Sequence, residues 1–213
     1  MTRKTPPTNC RGYHHGDLRN SLIIAAGQLI QESGYQDFSM IDASRRAGVS
    51  SAAPYRHFKD KDALLEAVTQ VAFLALTESA RNTDAMYVPG STQSLIAQGK
   101  AYIKFVIDHP QFYDLMWGDI GLRFAITEVA DLKTSGCYVL MDSVSHWCQN
   151  NLPENPDALD LAVKLWAMAH GLACLNMNQQ IEKFLPDADV YVMFEASAHT
   201  FLDGLRGMTK DKH

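Results

Sequence analysis

Apolar residues recur at spacings of three and four positions along most of the chain, and no useful length of it alternates strictly between apolar and polar residues. The first pattern is that of a helix with one buried face, whereas strict alternation would indicate a half-buried strand. We therefore predict an all-helical protein. The expected helices cover residues 17–33, 40–46, 51–57, 61–81, 92–108, 110–117, 122–150, 157–182 and 188–206.

Glycine and proline supply most of the breaks between these helices. Glycine adopts turn conformations easily, and proline cannot continue a helix because it lacks an amide hydrogen. The predicted breaks lie at Gly34, at Val88 to Ser91, at His109 and Pro110, at Gly118 to Gly121, at Asn151 to Pro156, and at Pro186.

The segment 38–65 has the pattern of a helix-turn-helix. Ser39 lies three residues before Asp42, and this capping box satisfies unpaired amides at the start of a first short helix. Gly48 follows that helix in the turn, where a sharp reversal requires a positive φ. Val49 would then fill the angle between the two helices.

The second helix of the pair is expected to be short, and a longer third helix follows it. Ser50 or Ser51 can cap the second helix, and Pro54 lies in its first turn, where a missing amide hydrogen costs little. Asp60 can cap the third helix. The apolar face of that third helix is predicted to consist of Leu64, Leu65, Val68, Val71, Ala72 and Ala75.

This segment also carries side chains suited to DNA. A recognition helix must be short and small-sided to enter the major groove, which is about 12 Å wide. Hydroxyl, imidazole and cationic groups around it can reach phosphate oxygens. The candidate contacts with double-stranded DNA are Ser39, Arg45, Ser50, Ser51, Ala52, Ala53, Tyr55, Arg56, His57 and Lys61.

Four short stretches occur in order within residues 13–65: YHHGDLR at 13–19, RAGVS at 46–50, APYRHF at 53–58 and KDALL at 61–65. Together they make residues 14–65 resemble the amino-terminal domain of the TetR family of bacterial transcription repressors. The resemblance is weakest on the first motif helix.

On that helix the family usually has a charged residue at the position of Ile41, a bulkier aliphatic residue at that of Ala43, and alanine at that of Ser44. These departures suggest a rearranged core under the helix. One consequence would be that Ile41 points inward.

The resemblance implies a division of the chain into three parts. Residues 1–14 would form a flexible basic arm, residues 15–60 a three-helix DNA-binding domain with the helix-turn-helix, and residues 61–213 a larger helical domain for effector binding and dimerisation. It further implies a repressor without a cofactor, which a small-molecule effector releases from a palindromic operator. The alternative is a helical ligand-binding or scaffold protein whose helix-turn-helix serves protein contacts.

Charge is divided unevenly, although the net charge of the whole chain is -5. Residues 1–66 contain nine Lys or Arg against seven Asp or Glu, whereas the remainder contains ten against seventeen. DNA affinity must therefore depend on where the cations lie, and it should fall steeply with salt. The basic side chains and histidines of the amino-terminal arm, which could follow a DNA groove or form a solvated tail, are Arg3, Lys4, Arg11, His14 and His15.

The last two predicted helices each carry apolar and small residues on one face. Paired with a second copy, they would form a four-helix bundle around a two-fold axis. Only a two-fold dimer can hold two recognition helices about 34 to 36 Å apart, as a palindromic operator requires. The stretch LWAMAHGL at 165–172 also resembles a tryptophan, histidine and glycine signature of one TetR subgroup. The predicted interface consists of Val163, Trp166, Ala167, His170, Gly171, Cys174, Met193, Ala196 and Thr200.

Aromatic and sulfur side chains cluster in the middle of the chain. Ligand pockets are mostly apolar with a few polar anchors, so these residues could line an effector site for a largely apolar small molecule. Taken singly, each could equally be an ordinary core residue, and His170 could be either a polar anchor or an interface residue. The candidates are Phe105, Phe112, Tyr113, Met116, Trp117, Phe124, Tyr138, Met141, Trp147, His170 and Met177.

Signatures of common enzymes and metal sites are missing from the sequence. It contains no HExxH, GxGxxG, GxxxxGK or GxSxG motif and no paired Glu-x-x-His, so we expect neither an enzyme nor a metal site. His146 and Cys148 could hold a metal only with distant partners.

The beginning of the sequence and its hydropathy indicate where the protein is expected to be located. Its beginning lacks the apolar middle of a secretory signal, and no window approaches the roughly 18 uninterrupted apolar residues of a membrane span. We expect a cytoplasmic protein without membrane contact. Its cysteines should then be free thiols, with redox sensing left open; they are Cys10, Cys137, Cys148 and Cys174.

Overall fold

The computed structural model describes residues 18–124, 136–153 and 156–210, and every regular element within these ranges is helical. The fold class predicted from the sequence is therefore confirmed. The elements are α1 (Leu18–Ser33), α2 (Met40–Arg46), a 3₁₀ turn (Pro54–Arg56), α3 (Lys61–Asp84), α4 (Thr92–Asp108), α5 (Pro110–Trp117), α6 (Asp119–Phe124), α7 (Gly136–Asn151), α8 (Ala158–Met177), α9 (Gln180–Phe184) and α10 (Val190–Lys210).

Side-chain caps fix where several of these helices begin. Ser39 accepts a hydrogen bond from the third amide of α2, and Asp60 accepts one at 2.9 Å from the third amide of α3, as the sequence predicted. Ser91 accepts from the third amide of α4, while Asp157 and Asp189 accept from the second amides of α8 and α10. Each cap satisfies an amide that has no partner inside the helix.

An amino-terminal core forms where α1, α2 and the first turns of α3 meet α5 and α6. It extends past the predicted domain boundary at residue 60, because α3 contributes four side chains to it. Helix α5 contributes Leu115 and α6 contributes Ile120. The buried members are Leu22, Ile23, Ala26, Ile30, Phe38, Met40, Ala43, Phe58, Leu64, Leu65, Ala67, Val68, Leu115 and Ile120.

A second, carboxy-terminal core joins α4, α7, α8 and α10. Its largest side chains are Trp147 and Phe194, both essentially inaccessible to solvent. Phe194 lies so close to Gly99 that a Cβ added there would be 2.0 Å from the ring. Glycine at this position therefore permits the close approach of α4 and α10.

The second helix of the helix-turn-helix is shorter than predicted. Only residues 54–56 are helical, with 3₁₀ geometry, and neither Ser50 nor Ser51 caps them. The reason is local: Pro54 has no amide hydrogen to close an α-helical bond, so Ala53 donates to the Ser50 carbonyl at 3.0 Å in a tighter turn.

One predicted long helix is interrupted, and another is described only at its two ends. Of the helix predicted over 122–150, residues 122–124 belong to α6 and residues 136–150 to α7, while residues 125–135 lie outside the described ranges. Gly121 lies inside α6 rather than in a break. In place of one helix over 157–182 there are α8 and α9. Gln179, with φ of 54°, adopts the left-handed conformation that ends the first and starts the second.

The buried face of α3 also differs from the prediction. Val71 is 49% exposed and Ala75 is exposed, whereas Thr69 and Thr77 are buried. Each threonine donates its hydroxyl at 2.8 Å to the carbonyl four residues earlier, so its burial leaves no polar group unpaired. A pattern based on apolar residues alone does not predict such a face.

Helices α3 and α8 are long and apolar enough to cross a bilayer by length and composition alone. The sequence prediction considered only uninterrupted apolar runs and therefore did not indicate these two helices. Core helices have the same composition. In α8, however, only 28% of the most apolar window is buried inside this chain. This helix therefore presents apolar surface that the single chain leaves open.

Gly48 and Gly90 both have a positive φ, so replacing each by alanine compares the cost of backbone strain alone with the cost of strain plus a steric clash. Gly48, with φ of 70°, has open space around its Cβ position, whereas at Gly90, with φ of 67°, a Cβ would lie 2.6 Å from the His146 backbone. We expect Gly48→Ala to lower the free energy of unfolding by about 1 kcal/mol. Gly90→Ala should lower it by roughly 3 kcal/mol or more, because the clash adds to the strain.

Urea denaturation of both variants measures the difference. Equal losses, or a larger loss in Gly48→Ala, would contradict this account of the two turns.

Candidate DNA-binding surface and effector site

The recognition turn, residues 50–57, presents most of the predicted DNA contacts to solvent. Pro54 is buried beneath the turn and Ala53 is half-buried, while Tyr55 is 58% exposed. Gly48 has the positive φ that the sequence predicted, and Val49 packs on the amino-terminal core as expected. The exposed members of the turn are Ser50, Ser51, Ala52, Tyr55, Arg56 and His57.

Three further candidates flank this turn, and each already has a partner. The Lys61 ammonium donates to the Gln36 carbonyl at 3.0 Å and lies 5.7 Å from the centroid of the Phe38 ring. The Arg45 side chain is 76% exposed and pairs with Asp42 at 2.9 Å. Ser39 caps α2. These contacts hold the three groups in place.

The departures on α2 have a simple structural outcome. Ile41 is 54% exposed, so the possibility that it points inward is wrong. Ala43 and Ser44 fill the buried side instead, and the Ser44 hydroxyl donates to the Met40 carbonyl at 2.7 Å. Because that bond satisfies the hydroxyl, serine fits where an alanine would.

Four helices bring six rings together into what we call the aromatic site. Trp117 is central: its ring centroid lies 5.4 Å from those of Phe73 and Trp166 and 5.7 Å from that of His170. Tyr102 and Tyr113 approach His170 from α4 and α5. The aromatic site consists of Phe73, Tyr102, Tyr113, Trp117, Trp166 and His170.

A chain of hydrogen bonds runs through this site. The hydroxyl of Tyr102 lies 2.7 Å from His170 Nδ1, and the hydroxyl of Tyr113 lies 3.3 Å from Nε2. The same Tyr113 oxygen lies 2.9 Å from the sulfur of Cys174. His170 therefore connects α4, α5 and α8 through neutral donors and acceptors.

Burial keeps these groups uncharged near neutral pH. It raises the pKa of the Tyr102 phenol well above its usual range and the pKa of Tyr113 to about 12. It lowers the pKa of the His170 imidazole below its ordinary value. In each case removal from water disfavours the charged form.

Of the predicted effector residues, Tyr113, Trp117 and His170 lie in the aromatic site. Trp147 is instead a core residue: its indole donates to Thr92 at 3.0 Å, and Arg206 covers its ring. Phe112 packs against the amino-terminal core. The carboxy-terminal core is where Phe105, Met141 and Met177 pack. Met116 is buried and Tyr138 is half-buried. Phe124 closes α6, and its side chain is outside the described part.

Sequence reasoning missed Phe73 and Tyr102 and assigned Trp166 to the dimer interface. All three lie in the aromatic site. His170, another predicted interface residue, lies there too, and Cys174 is linked to His170 through the hydroxyl of Tyr113. The available signal was the spacing of Trp166, His170 and Cys174, which are four residues apart on one helix face.

The remaining predicted interface residues lie mostly on the outside. Val163 is 42% exposed, Ala167 and Thr200 are exposed, and around Gly171 a Cβ would meet open space. Met193 is the exception, because it packs on the carboxy-terminal core. With their exposed neighbours these positions form what we call the open face: Leu159, Val163, Ala167, Gly171 and Leu175 on α8, and Val192, Ala196, Thr200 and Gly204 on α10.

Helix α5 lies between the amino-terminal core and the aromatic site. Phe112 and Leu115 pack into the amino-terminal core. Tyr113 and Trp117, on the same helix, contact His170 and Trp166. The eight residues of α5 thus connect the helix-turn-helix domain to the aromatic site directly.

Metal ligation and thiol chemistry depend on which side chains the structure brings together and on how deeply it buries them. No group of three or more potential metal ligands occurs among the described residues. Burial raises the pKa of the Cys137 and Cys148 thiols, which disfavours the reactive thiolate. The basic arm, with Arg3 to His15, and Cys10 lie outside the described residues.

Comparison with known families gives two adjacent matches. Residues 22–68 match the family described as bacterial regulatory proteins, tetR family. Residues 95–201, half of the chain, match the family described as tetracyclin repressor-like, C-terminal domain. The two matches cover the helix-turn-helix and the helices that carry most of the aromatic site.

One known relative is the HTH-type transcriptional activator FasR of Mycolicibacterium smegmatis, which is 31% identical over 101 residues. The match covers 47% of this chain and 46% of FasR, so it spans about half the length of the relative.

Solved structures share the whole fold. A protein of unknown function from Rhodococcus sp. RHA1 is 28% identical, with a TM-score of 0.78 over 92% of this chain and 99% of that one. The fatty acid degradation regulator FadR from Bacillus halodurans is 15% identical, with a TM-score of 0.63 over 94% of this chain and 96% of that one. At that identity FadR shows the likeness of fold alone.

The lowered pKa of His170 predicts how stability responds to acid. Below pH 6.5 the unfolded chain takes up a proton on this residue while the native site stays neutral, so falling pH reduces stability until the native pKa is passed. His170→Asn should remove this component, which amounts to no more than one proton.

Urea denaturation of wild type and variant between pH 7.5 and pH 5 measures it, with His146→Asn on the exposed side of α7 as the matched control. An unchanged pH dependence in His170→Asn would contradict the buried neutral imidazole.

Proposed function

The chain belongs to the TetR family of bacterial regulatory proteins, and on that basis we propose that it is a homodimeric transcription regulator controlled by a small-molecule effector. Proteins of this family are generally not enzymes, and we assign this chain no catalytic role. Its place of action would be the cytoplasm. The observation that carries the proposal is the double contact of α5, which joins the DNA-binding domain to the aromatic site.

The recognition turn supports binding in a DNA groove. Its exposed residues are small except for Tyr55, Arg56 and His57, which can reach phosphates on either side. Lys61 starts α3 at the edge of this surface, where its ammonium is already oriented by the Gln36 carbonyl. Such contacts position a protein on DNA, and their strength depends on salt.

The open face supports a homodimer. Leu159 and Leu175 are each 48% exposed and Val192 is 61% exposed, although all are apolar. Small residues between them, Gly171 on α8 and Gly204 on α10, would let helices of a second copy approach closely. A two-fold arrangement of these four helices would present two recognition turns to two half-sites.

The effector would act through α5. A molecule that binds at Tyr113 and Trp117 changes what one side of α5 packs against, while Phe112 and Leu115 remain fixed in the amino-terminal core. The domain would then follow the helix. Such a ligand shifts the equilibrium only if it binds the released state more tightly than the DNA-bound state.

Whether the protein represses or activates transcription depends on where its operator lies. One matching family is described as repressor-like, while the relative FasR is named an activator. The same DNA-binding event blocks a promoter when it overlaps it and assists polymerase from an upstream site. Repression remains our proposal because the family's repressor-like description covers half of this chain.

Selection of bound fragments from a random DNA pool tests the proposed function. Enrichment of an inverted repeat, with half-sites about one helical turn apart, is the expected result. No enrichment even at low salt would favour the scaffold alternative, in which the helix-turn-helix contacts protein.

Two substitutions test the proposed phosphate contacts. Tyr55→Phe and Lys61→Ala should weaken binding to all DNA sequences, and Lys61→Ala should reduce the slope of log affinity against log salt by about one unit. Gel-shift titrations between low and moderate salt measure both effects. Lys183→Ala, exposed on α9, is the matched control. Unchanged affinity in both test variants would refute the assignment.

Two other substitutions test the open face. Ala167→Arg and Ala196→Arg place a charge where the second copy would pack, so each should yield monomers and lower operator affinity by at least about tenfold. Light scattering after size exclusion gives the mass, and circular dichroism checks that helix content is kept. Gln149→Arg, exposed on α7, should remain dimeric; dimers of normal affinity in both test variants would place the interface elsewhere.

A further inference from the structure

We propose that the effector of the aromatic site is an uncharged, flat aromatic molecule with one hydroxyl or carbonyl group that bonds to His170 and Tyr113. This inference rests on the proposed function, because it names the class of molecule that would bind there. Shape, charge and hydrogen bonding each support it separately.

The arrangement of the rings favours a flat aromatic guest. Phe73 meets Trp117 at 90°, and Trp117 meets His170 at 87°, so ring edges point at ring faces in both pairs. Trp117 and Trp166 stay half-buried, which leaves part of each indole available. Aromatic rings gain from edge-to-face and offset contacts beyond the area they bury, whereas an alkyl chain does not.

The charges around the site disfavour an anionic guest. Every basic residue of α4 and α8 is already paired with a carboxylate: Lys100 with Glu195 and Lys104 with Asp108 at 2.6 Å, and Lys164 with Asp160 at 2.5 Å. Helix α5 contains no basic residue at all. Among the described side chains of α4, α5 and α8, the carboxylate of an acyl chain would therefore find no unpaired cation, and burying it in that way is costly.

A cationic guest is disfavoured for the corresponding reason. The acidic side chain on α5, Asp114, is exposed and keeps its contact with water. The polar groups of the site are two phenols, an imidazole and two indole N–H groups, with the Cys174 thiol beside them, and the hydrogen bonds among them need no ionised member. An ammonium group would lose hydration without gaining a buried carboxylate.

The hydrogen-bond chain offers one place for a polar group. When Tyr102 donates to His170 Nδ1 at 2.7 Å, the imidazole proton is on Nε2 and points toward Tyr113. That second contact, at 3.3 Å, is the longest in the chain. A hydroxyl or carbonyl oxygen can accept from Nε2 in its place, and a hydroxyl can also bond to the Tyr113 oxygen.

Such a guest would act on the contact that matters for regulation. Tyr113 is on α5 and His170 is on α8, so an oxygen placed between them replaces a direct bond between the two helices. Ring contact with Trp117 would add to the change on the same face of α5. The chemistry of the guest and the movement of α5 are then linked through one pair of residues.

Calorimetric titration of the free protein with four probes at pH 7 tests the inference. The probes are 2-naphthol, which is neutral, 2-naphthoate, (2-naphthyl)methylammonium and decanoate. We expect 2-naphthol to bind at least about tenfold more tightly than each charged probe. Tyr113→Phe and His170→Asn should weaken 2-naphthol about three- to tenfold, as the loss of one neutral hydrogen bond predicts.

Matched controls separate these effects from general damage. Tyr87→Phe, 40% exposed beyond α3, and His146→Asn on α7 should bind 2-naphthol as wild type does. Tyr113→Phe removes a single oxygen, so it stays informative even if His170→Asn does not fold. Binding of naphthoate, naphthylmethylammonium or decanoate as tight as that of 2-naphthol, or unchanged binding in Tyr113→Phe, would overturn the inference.

This outcome can be told apart from that of the proposed function, because the titration contains no DNA. Recovery of an inverted repeat together with absent 2-naphthol binding would overturn the inference and leave the regulator standing. Selective 2-naphthol binding without any DNA enrichment supports the chemistry of the site and refutes the regulator.

Discussion

Helix α5 is eight residues long and must pack on two parts of the protein at once. Phe112 and Leu115 belong to the amino-terminal core, while Tyr113 and Trp117 belong to the aromatic site. Close-packed side chains do not deform gradually, so a change on one side of so short a helix must be met on the other. The DNA-binding domain and the aromatic site therefore cannot rearrange independently.

The two ends of this connection rely on different forces. At the aromatic site the contacts are ring packing and hydrogen bonds between neutral groups, which salt screens little. Beside the recognition turn the proposed phosphate contacts include the Lys61 ammonium, whose contribution would fall as counterions compete. In the proposed mechanism salt would thus change the DNA affinity much more than the packing through which an effector would act.

Local chemistry made parts of the fold predictable from sequence, and packing between distant helices made other parts unpredictable. Ser39 and Asp60 marked helix starts correctly, because a cap and its amide are three residues apart. The prediction of a helix over residues 51–57 was wrong, because Pro54 enforces a 3₁₀ turn that apolar spacing does not reveal. The aromatic site was predicted only in part, because Tyr102 reaches His170 from a separate helix. Trp147 gives the same composition signal although it is a core residue.

The proposed coupling through α5 is most directly tested by hydrogen exchange of the protein with and without its selected operator fragment. Linkage is reciprocal, so a site that controls DNA binding must itself respond when DNA binds. If the coupling exists, exchange is altered in α5 and in residues 166–174 of α8, in addition to protection of residues 36–61. Changes confined to residues 36–61, with α5 and α8 unaffected at saturating operator, would contradict it.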